Sequence, residues 1–348
     1  MSPSWSSRAV GVIFGMITMS AVGIKATTAT TTILSLSLDN LANTVSPTFA
    51  SITIDSGELY LWVNGRFAFD TPKMRTAAKA LSSTQRTILR IGGTDGDRFY
   101  YDMSESPLPS PPDGFTGLLN TSHIDALLSF CDATDMELIF AINGGPVARN
   151  SSTRAWDPDL VGATQLVQYI TSSSSATGTF YGWELGNEPN LYWFPSNSQM
   201  IVSGKQLADD FRLLRSIVDT FGSPDHRIIG PDVAFQTPVL GEILPTLVDF
   251  VSSICENSST TISPIENNKY SVNRDHTKGS ARRSLDVLTW HWYPLQSTKS
   301  FPPVIAKVDP WAVSTELAVS PRTMARWKRW QGKIEAMAAD CAGGPLEA

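Results

Sequence analysis

The residues of this chain that could do chemistry gather around one carboxylate, Glu188. It sits in the stretch Trp183-Glu184-Leu185-Gly186-Asn187-Glu188-Pro189-Asn190. Phe180 to Leu185 is a short apolar run with large and aromatic residues, suited to a buried strand. Gly186, Asn187 and Pro189 break that run, because proline cannot continue a central strand. Glu188 therefore stands at the C-terminal end of a strand, where a (β/α)8 barrel keeps its catalytic groups. The proline restricts the residue before it to extended backbone, which gives Asn187 and Glu188 a defined direction. Three other places carry polar groups in comparable positions. Phe49 to Asp55 alternates and ends in the carboxylate of Asp55. Thr87-Ile88-Leu89-Arg90-Ile91 runs into Gly92-Gly93-Thr94-Asp95-Gly96-Asp97, whose glycines either let backbone approach a ligand or mark a turn. In Asp286–Pro294, His291 is the one histidine of four at a strand end among aromatics; it reads as a site residue or a core histidine.

These strings resemble a known family. Asn-Glu-Pro at a strand end is similar to the acid/base end of strand four in the barrel glycosidases of clan A. The fuller WELGNEPN resembles the heparanases and β-glucuronidases of glycoside hydrolase family 79, as do the PK-led helix at 72, the LR-x-GGT string and TWH-x-Y at 289–293. The resemblance implies a retaining mechanism with Glu188 as general acid and then general base. It also implies that Asp55, Gly93, Thr94, Asn187, His291 and Tyr293 bind the sugar, with Asn187 at the 2-hydroxyl. The expected substrate is a glycan containing uronic acid: a polysaccharide, a proteoglycan or a glucuronide. Residues 104–118 form a Pro/Ser-rich loop with no Lys or Arg between Glu105 and Asn120, which departs from the basic stretch of animal heparanases and argues against heparan sulfate. A noncatalytic glycan-binding relative and a neutral-sugar clan A β-glycosidase are the alternatives.

A retaining glycosidase needs a second carboxylate about 5–5.5 Å from the first. In the family this nucleophile ends strand seven, a few residues past Ala348. Glu347 would begin that strand, and four more residues at about 3.3 Å each place it more than about 10 Å away. Glu184 lies four residues deeper than Glu188, and nothing in the sequence around Glu316 or Asp232 marks them. The expectation is a chain truncated before the nucleophile, carrying the acid/base alone and therefore inactive in hydrolysis. An acid of this kind needs a raised pKa, normally supplied by burial and a partner carboxylate.

An apolar fraction of 42% and a charged fraction of 17% read as a folded chain. A net charge of −6 argues against nucleic-acid partners and gives no bulk attraction for a polyanion. Three cysteines leave at least one thiol unpaired, and no metal-ligand spacing appears, so neither metal nor cofactor is expected. Residues 1–26, with Arg8 before the apolar run Ala9–Ile24, read as a secretory signal or else an uncleaved anchor. Membrane association follows only in the second case; otherwise the protein is secreted or endolysosomal. Residues 27–44 read as a flexible segment, and sequons at Asn120, Asn150 and Asn257 fit the secretory route.

The elements that must position these residues alternate as βα units from residue 45 to residue 348. Helices are expected over 72–81, from Ser122 with Asp125 as capping partner, over 159–171, over 205–221 ending at Gly222, and over 322–341. In the last, Trp327, Trp330, Ile334, Met337 and Cys341 share a face. Cys131 falls on the apolar face of the second helix. Further strands are expected at Glu137–Ile142, Arg227–Gly230 and Asp286–Pro294, and 256–284 reads as a solvated loop. The fold class is α/β: a (β/α)8 TIM barrel, incomplete at about six to seven strands, without the C-terminal β-sandwich of the family.

Overall fold

The computed structural model describes residues 50–292, apart from 83–85, 174, 175, 177, 194–199, 236–245, 256–258, 266–268 and 276–283. Beyond them it describes positions 325, 328, 332 and 336, which are helical and exposed, within the span expected for the last helix. The N-terminal apolar segment, Tyr293, Glu316, the aromatic stripe of that helix and Glu347 lie outside the described residues. Among the described residues no helix is long and apolar enough to cross a membrane.

Six strands form one parallel sheet in chain order: β1 (Ile52–Asp55), β2 (Thr87–Gly92), β3 (Met136–Ile142), β4 (Phe180–Leu185), β5 (Arg227–Phe235) and β6 (Val287–Trp292). Helices connect them: α1 (Pro72–Leu81), α2 (Thr121–Thr134), α3 (Ala163–Ser172), α4 (Gly204–Phe221) and α5 (Thr246–Cys255). Parallel neighbours require crossover helices, and sequential order without a switch point is the barrel solution. The fold is thus that of a (β/α)8 barrel, with six of its strands described. The register sets the rim: Asp55 pairs with Gly92, Ile91 with Phe140, and Ile142 with Leu185, so these C-terminal ends lie side by side.

The inner strands read as apolar runs because both faces are covered. Leu89, Ile91, Leu138, Phe140 and Ile142 are buried, and Trp183 packs on Phe180 with ring centres 4.4 Å apart. Each such side chain contributes about 1.5–3 kcal/mol by leaving water. Cys131 is buried on α2, and burial pushes its thiol up to about 12, which makes it an inert core residue. Cys255 is disulfide-bonded.

Four local expectations need correction. The N-cap of α2 is Asn120, whose side chain accepts from His123 N while the His123 ring reaches back to Asn120 N. Asp125 instead accepts from the Tyr169 hydroxyl at 2.8 Å. Gly222 does end α4, but with φ −96° it supplies no left-handed cap. It is needed because a Cβ would meet the Val218 carbonyl at 2.6 Å. The segment 256–284 is not simply a solvated loop: Ser259–Ile265 and Lys269–Asp275 pair as an antiparallel hairpin.

The fourth correction bears on function. Strand β5 does not stop at Gly230 but runs on through Pro231 and Asp232 to Phe235. Leu288 pairs with Gly230 and Trp290 with Val233, so β5 has one residue more than β6 over this step. This is a β-bulge, one of the few sheet contexts that accommodate a proline. Asp232 takes the left-handed conformation there, with φ 52°.

Candidate active site

Glu188 follows β4 through a turn that only particular residues permit. Gly186 has φ 75°, and a Cβ on it would meet the Tyr192 hydroxyl at 2.6 Å. Glu188 is not extended as its place before proline suggested; it is left-handed at φ 49°, ψ 52°. Such a conformation in a non-glycine residue costs about 1–3 kcal/mol and persists only where the surroundings over-determine it. Here they do. Glu188 N donates to the carbonyl of Asp232 at 3.1 Å, the carbonyl that the bulge turns out of the ladder. Two residues on, Asn190 Nδ2 donates to Ala234 O and Asn190 Oδ1 accepts from Ala234 N, both at 2.9 Å. Three hydrogen bonds therefore fasten the 188–190 turn to β5.

Within the sheet, Arg90 of β2 donates to Glu184 at 2.6 Å and to Asp232 at 2.8 Å. Burial alone would lower the Arg90 pKa, but the two carboxylates outweigh it and raise it. Burial and the neighbouring Asp232 charge push Glu184 well above the carboxylate range. Burial would push Asp232 up too, yet Arg90, Glu184, His291 and Thr289 together hold it below its ordinary value. Of the two carboxyl groups, Glu184 is therefore the one that favours a proton, and Asp232 the one that favours its charge beside Arg90. The other Asp232 oxygen accepts from Thr289 at 2.5 Å and faces His291 Nε2 at 3.9 Å. His291 Nδ1 in turn lies 3.0 Å from Glu188 Oε1. Arg90, Asp232, His291 and Glu188 thus follow one another, hydrogen-bonded at both ends with a 3.9 Å separation between Asp232 and His291.

On the other flank, buried Asp97 collects Tyr192 OH at 2.8 Å, Asn187 N at 3.0 Å and Gly144 N at 3.2 Å. Burial pushes its pKa up to about 7 against these donors and the nearby Arg149 charge. Three loops, those after β2, β3 and β4, are joined at this one carboxylate.

The structure brings most of the sequence-predicted residues together at the strand C-termini. Asn187 Nδ2 reaches Thr94 Oγ1 at 3.4 Å, and Glu188 meets His291. Asp55 spends one oxygen capping Gly57 N at 2.9 Å, and its other oxygen crowds Gly93, where a Cβ would sit 2.2 Å away. The Gly93 loop is therefore a close backbone approach with φ 104°, beyond a mere turn. Tyr293 lies outside the described residues. Sequence reasoning passed over Arg90, Asp97 and Tyr192, and considered Asp232 only as a replacement nucleophile, not as a partner of Arg90. The signal for Asp232 was available: Gly-Pro-Asp after an apolar strand places a carboxylate much as Gly-Asn-Glu-Pro does. Arg90 and Glu184 were single charges inside buried strands, which must find partners.

A cavity of about 330 Å³ opens at Glu188, lined also by Thr94, Asp97, Arg98, Asn187 and Tyr192. A larger groove of about 720 Å³ lies at the strand N-termini, around Glu137, Tyr181 and Arg227. Barrel chemistry belongs to the C-terminal face, so the smaller cavity is the candidate site. A glutamate at 15% side-chain exposure, hydrogen-bonded to an imidazole at a cavity wall, can exchange a proton with a bound ligand. No cluster that could hold a metal occurs among the described residues.

A barrel rim carrying a glutamate at a cavity wall fits the glycoside hydrolase class, and comparison with known proteins supplies the family. Residues 67–257 match the model of glycosyl hydrolase family 79, N-terminal domain. The chain belongs to glycosyl hydrolase family 79. It is 26% identical to heparanase of Mus musculus over 234 residues, 54% of this chain and 41% of that protein. Inactive heparanase-2 of Mus musculus is 33% identical over 101 residues, 29% of this chain and 15% of that protein. The chain spans about two fifths of the length of the heparanases it matches. Among solved structures, a 4-O-α-L-rhamnosyl-β-D-glucuronidase from Fusarium oxysporum 12S overlaps 74% of this chain and 47% of its own, at 16% identity and TM-score 0.41. A family 44 endoglucanase from Clostridium acetobutylium overlaps 85% of this chain and 67% of its own, at 14% identity and TM-score 0.47. The family assignment rests on the matched residues and not on these overlaps.

Proposed function

We propose that the cleft is the acid/base half of a retaining glycosidase site for glycans containing uronic acid. The observation that carries this is Glu188, held in a strained turn at the cavity wall with His291 against its carboxylate. In this reading Glu188 protonates the leaving glycosidic oxygen and then takes a proton from the attacking water. Asn187, Asp55, Thr94 and the Gly93 backbone hydrogen-bond the sugar, and His291 orients the glutamate. The uronate preference draws on the family and on the heparanases named above. We also place the protein in the secretory pathway, on the strength of its N-terminal segment and sequons.

Glu184 and Asp232 are committed to Arg90, so neither is offered as the attacking carboxylate. An external nucleophile tests the site whether or not the second carboxylate is present. An aryl β-D-glucuronide is incubated with the protein, with and without azide. Azide attacks the anomeric carbon from the face opposite the aryl oxygen; the C–O bond breaks, and the phenol leaves with the proton from Glu188. The expected product is the α-glucuronyl azide, or glucuronic acid with retention where a carboxylate nucleophile is present. Glu188→Gln should slow either route by about 10²–10⁴-fold for a poor leaving group. Absence of cleavage that depends on Glu188 under both conditions sinks the catalytic reading. The second reading is then a glycan-binding relative without turnover, favoured by the match to proteins named inactive heparanase-2.

A further inference from the structure

We propose that Arg98 is the anion-recognition residue of this cleft, taking a carboxylate or sulfate group of an acidic pyranose. The inference rests on the reading of the cavity as a glycan site and adds the group that reads charge within it. Arg98 is half-buried and lines the cavity that Glu188 opens into. Among the described lining residues it is the one cation, beside the carboxyl groups of Glu188 and Asp97. Other arginines of the barrel are committed: Arg90 to Glu184 and Asp232, Arg149 to Asp210, Arg215 to Asp286. Among the described residues the Arg98 guanidinium forms neither an ion pair nor a hydrogen bond.

The lack of a partner is not for want of acids in the same turn. Asp97 is adjacent in sequence, but its oxygens point inward to Tyr192, Asn187 and Gly144. The Asp95 carboxylate lies against Gly57, where a Cβ would be 2.3 Å from it. The backbone holds Arg98 in place. Its carbonyl accepts from Thr116 N at 3.0 Å, and the next residue, Phe99, is buried. From there Phe99–Asp102 pairs with Gly117–Asn120. Gly114 and Thr116 return along the same wall, so the cation is fixed on a rim rather than left on a free loop.

The electrostatics make such a residue necessary for an acidic ligand. A net charge of −6 gives no long-range attraction, and the cavity already holds two carboxyl groups. Discrimination in favour of an anion must come from a local cation that is not neutralised. A guanidinium suits the task because its planar fork meets a carboxylate or sulfate through two parallel N–H···O bonds.

Binding can be read without turnover, by calorimetry or by ligand-observed NMR, with three probes: methyl β-D-glucuronide, methyl β-D-glucoside and the 6-sulfate of that glucoside. The wild-type protein should bind at least one anionic probe about tenfold or more tighter than the glucoside, with the gap narrowing as salt rises. A gap for one probe only names that group as the one recognised; a gap for both means that charge alone is read. Arg98→Gln should close the gap and leave the glucoside affinity unchanged, while Arg98→Lys keeps part of it. The inference is overturned by a wild type with no gap, by a gap that survives in Arg98→Gln, or by equal weakening of all probes. Glu188→Gln should keep the gap, so a failed hydrolysis assay with the gap intact removes the catalytic reading alone.

Discussion

Two buried acidic clusters flank the Asn187-Glu188 turn, and they are stabilised by opposite means. The Arg90 cluster pairs a guanidinium with Asp232 and Glu184, raises the pKa of Glu184, and leads by way of His291 to Glu188. The Asp97 cluster holds its carboxyl without an ion pair among the described residues, with Arg149 nearby but paired to Asp210. It relies on two backbone amides and a phenol, and its carboxyl is pushed up to about 7. The first is charge-balanced by the Arg90 guanidinium. The second holds its full set of donors only while the carboxyl is ionised, and ionisation in that dry site is costly. The Asn187-Glu188 turn is thus anchored to β5 beside a cation-paired cluster and to the β2 and β3 loops through a carboxyl whose pKa burial raises.

The largest effect expected from this contrast is the loss of the cation. Arg90→Leu leaves Asp232 buried without a counter-charge, a change that typically costs 3–5 kcal/mol. A urea or thermal denaturation series should show this, and adding Asp232→Asn should recover much of it. A single-variant loss below about 1 kcal/mol would show that the cluster is not charge-balanced as described.

Next in size is the pH dependence of Asp97. Its folded pKa of about 7 lies above its ordinary value of 3.8, so between those values the folded state binds more protons than the unfolded one. Its contribution is fully favourable below about pH 4 and is lost as pH rises towards 7, with a slope of at most about 1.4 kcal/mol per unit. Asp97→Asn should remove this slope. The difference in unfolding free energy between wild type and variant, followed from pH 4 to 8, therefore tilts towards the variant as pH rises. A flat difference would mean that the three donors fully offset the burial of the carboxylate.

How far the sequence foretold these clusters follows from what each residue needs. Strand β4 and helix α1 were legible to the residue, because an apolar run closed by Gly-Asn-Glu-Pro and a helix opened by Pro72 are local signals. The barrel order followed from βα alternation. Glu188, Asn187, Thr94 and His291 were placed at one rim because each sits at a strand end. The bulge was not legible. Pro231 read as a stop, and only pairing with β6 shows that the strand bends around it and carries on. Nor was the left-handed Glu188: local sterics before proline favour extended backbone, and it took the Asp232 carbonyl, 44 residues away in sequence, to override them. Asp97 was hidden for the same reason, since all its donors come from other loops.

The smallest effect concerns backbone strain where the turn meets the bulge. Glu188 and Asp232 are both left-handed, at φ 49° and 52°, and share the Glu188 N to Asp232 O bond. In an ordinary extended or helical position, glycine is about 0.5–1 kcal/mol less favourable than alanine, because it loses more freedom on folding. In a left-handed position alanine bears about 1–2 kcal/mol of steric cost that glycine escapes. The order should therefore reverse: Glu188→Gly should be more stable than Glu188→Ala by up to about 1 kcal/mol, although both lose the contact with His291. The same reversal is expected for Asp232→Gly against Asp232→Ala, on top of a larger common loss from the Arg90 pair. A paired denaturation measurement at each position isolates the strain, since the side-chain loss is shared and cancels. Reversal at both sites ties the strain to the shared bond. If alanine is the more stable at position 188, the turn is not strained, and His291 with Asn190 must hold the glutamate instead.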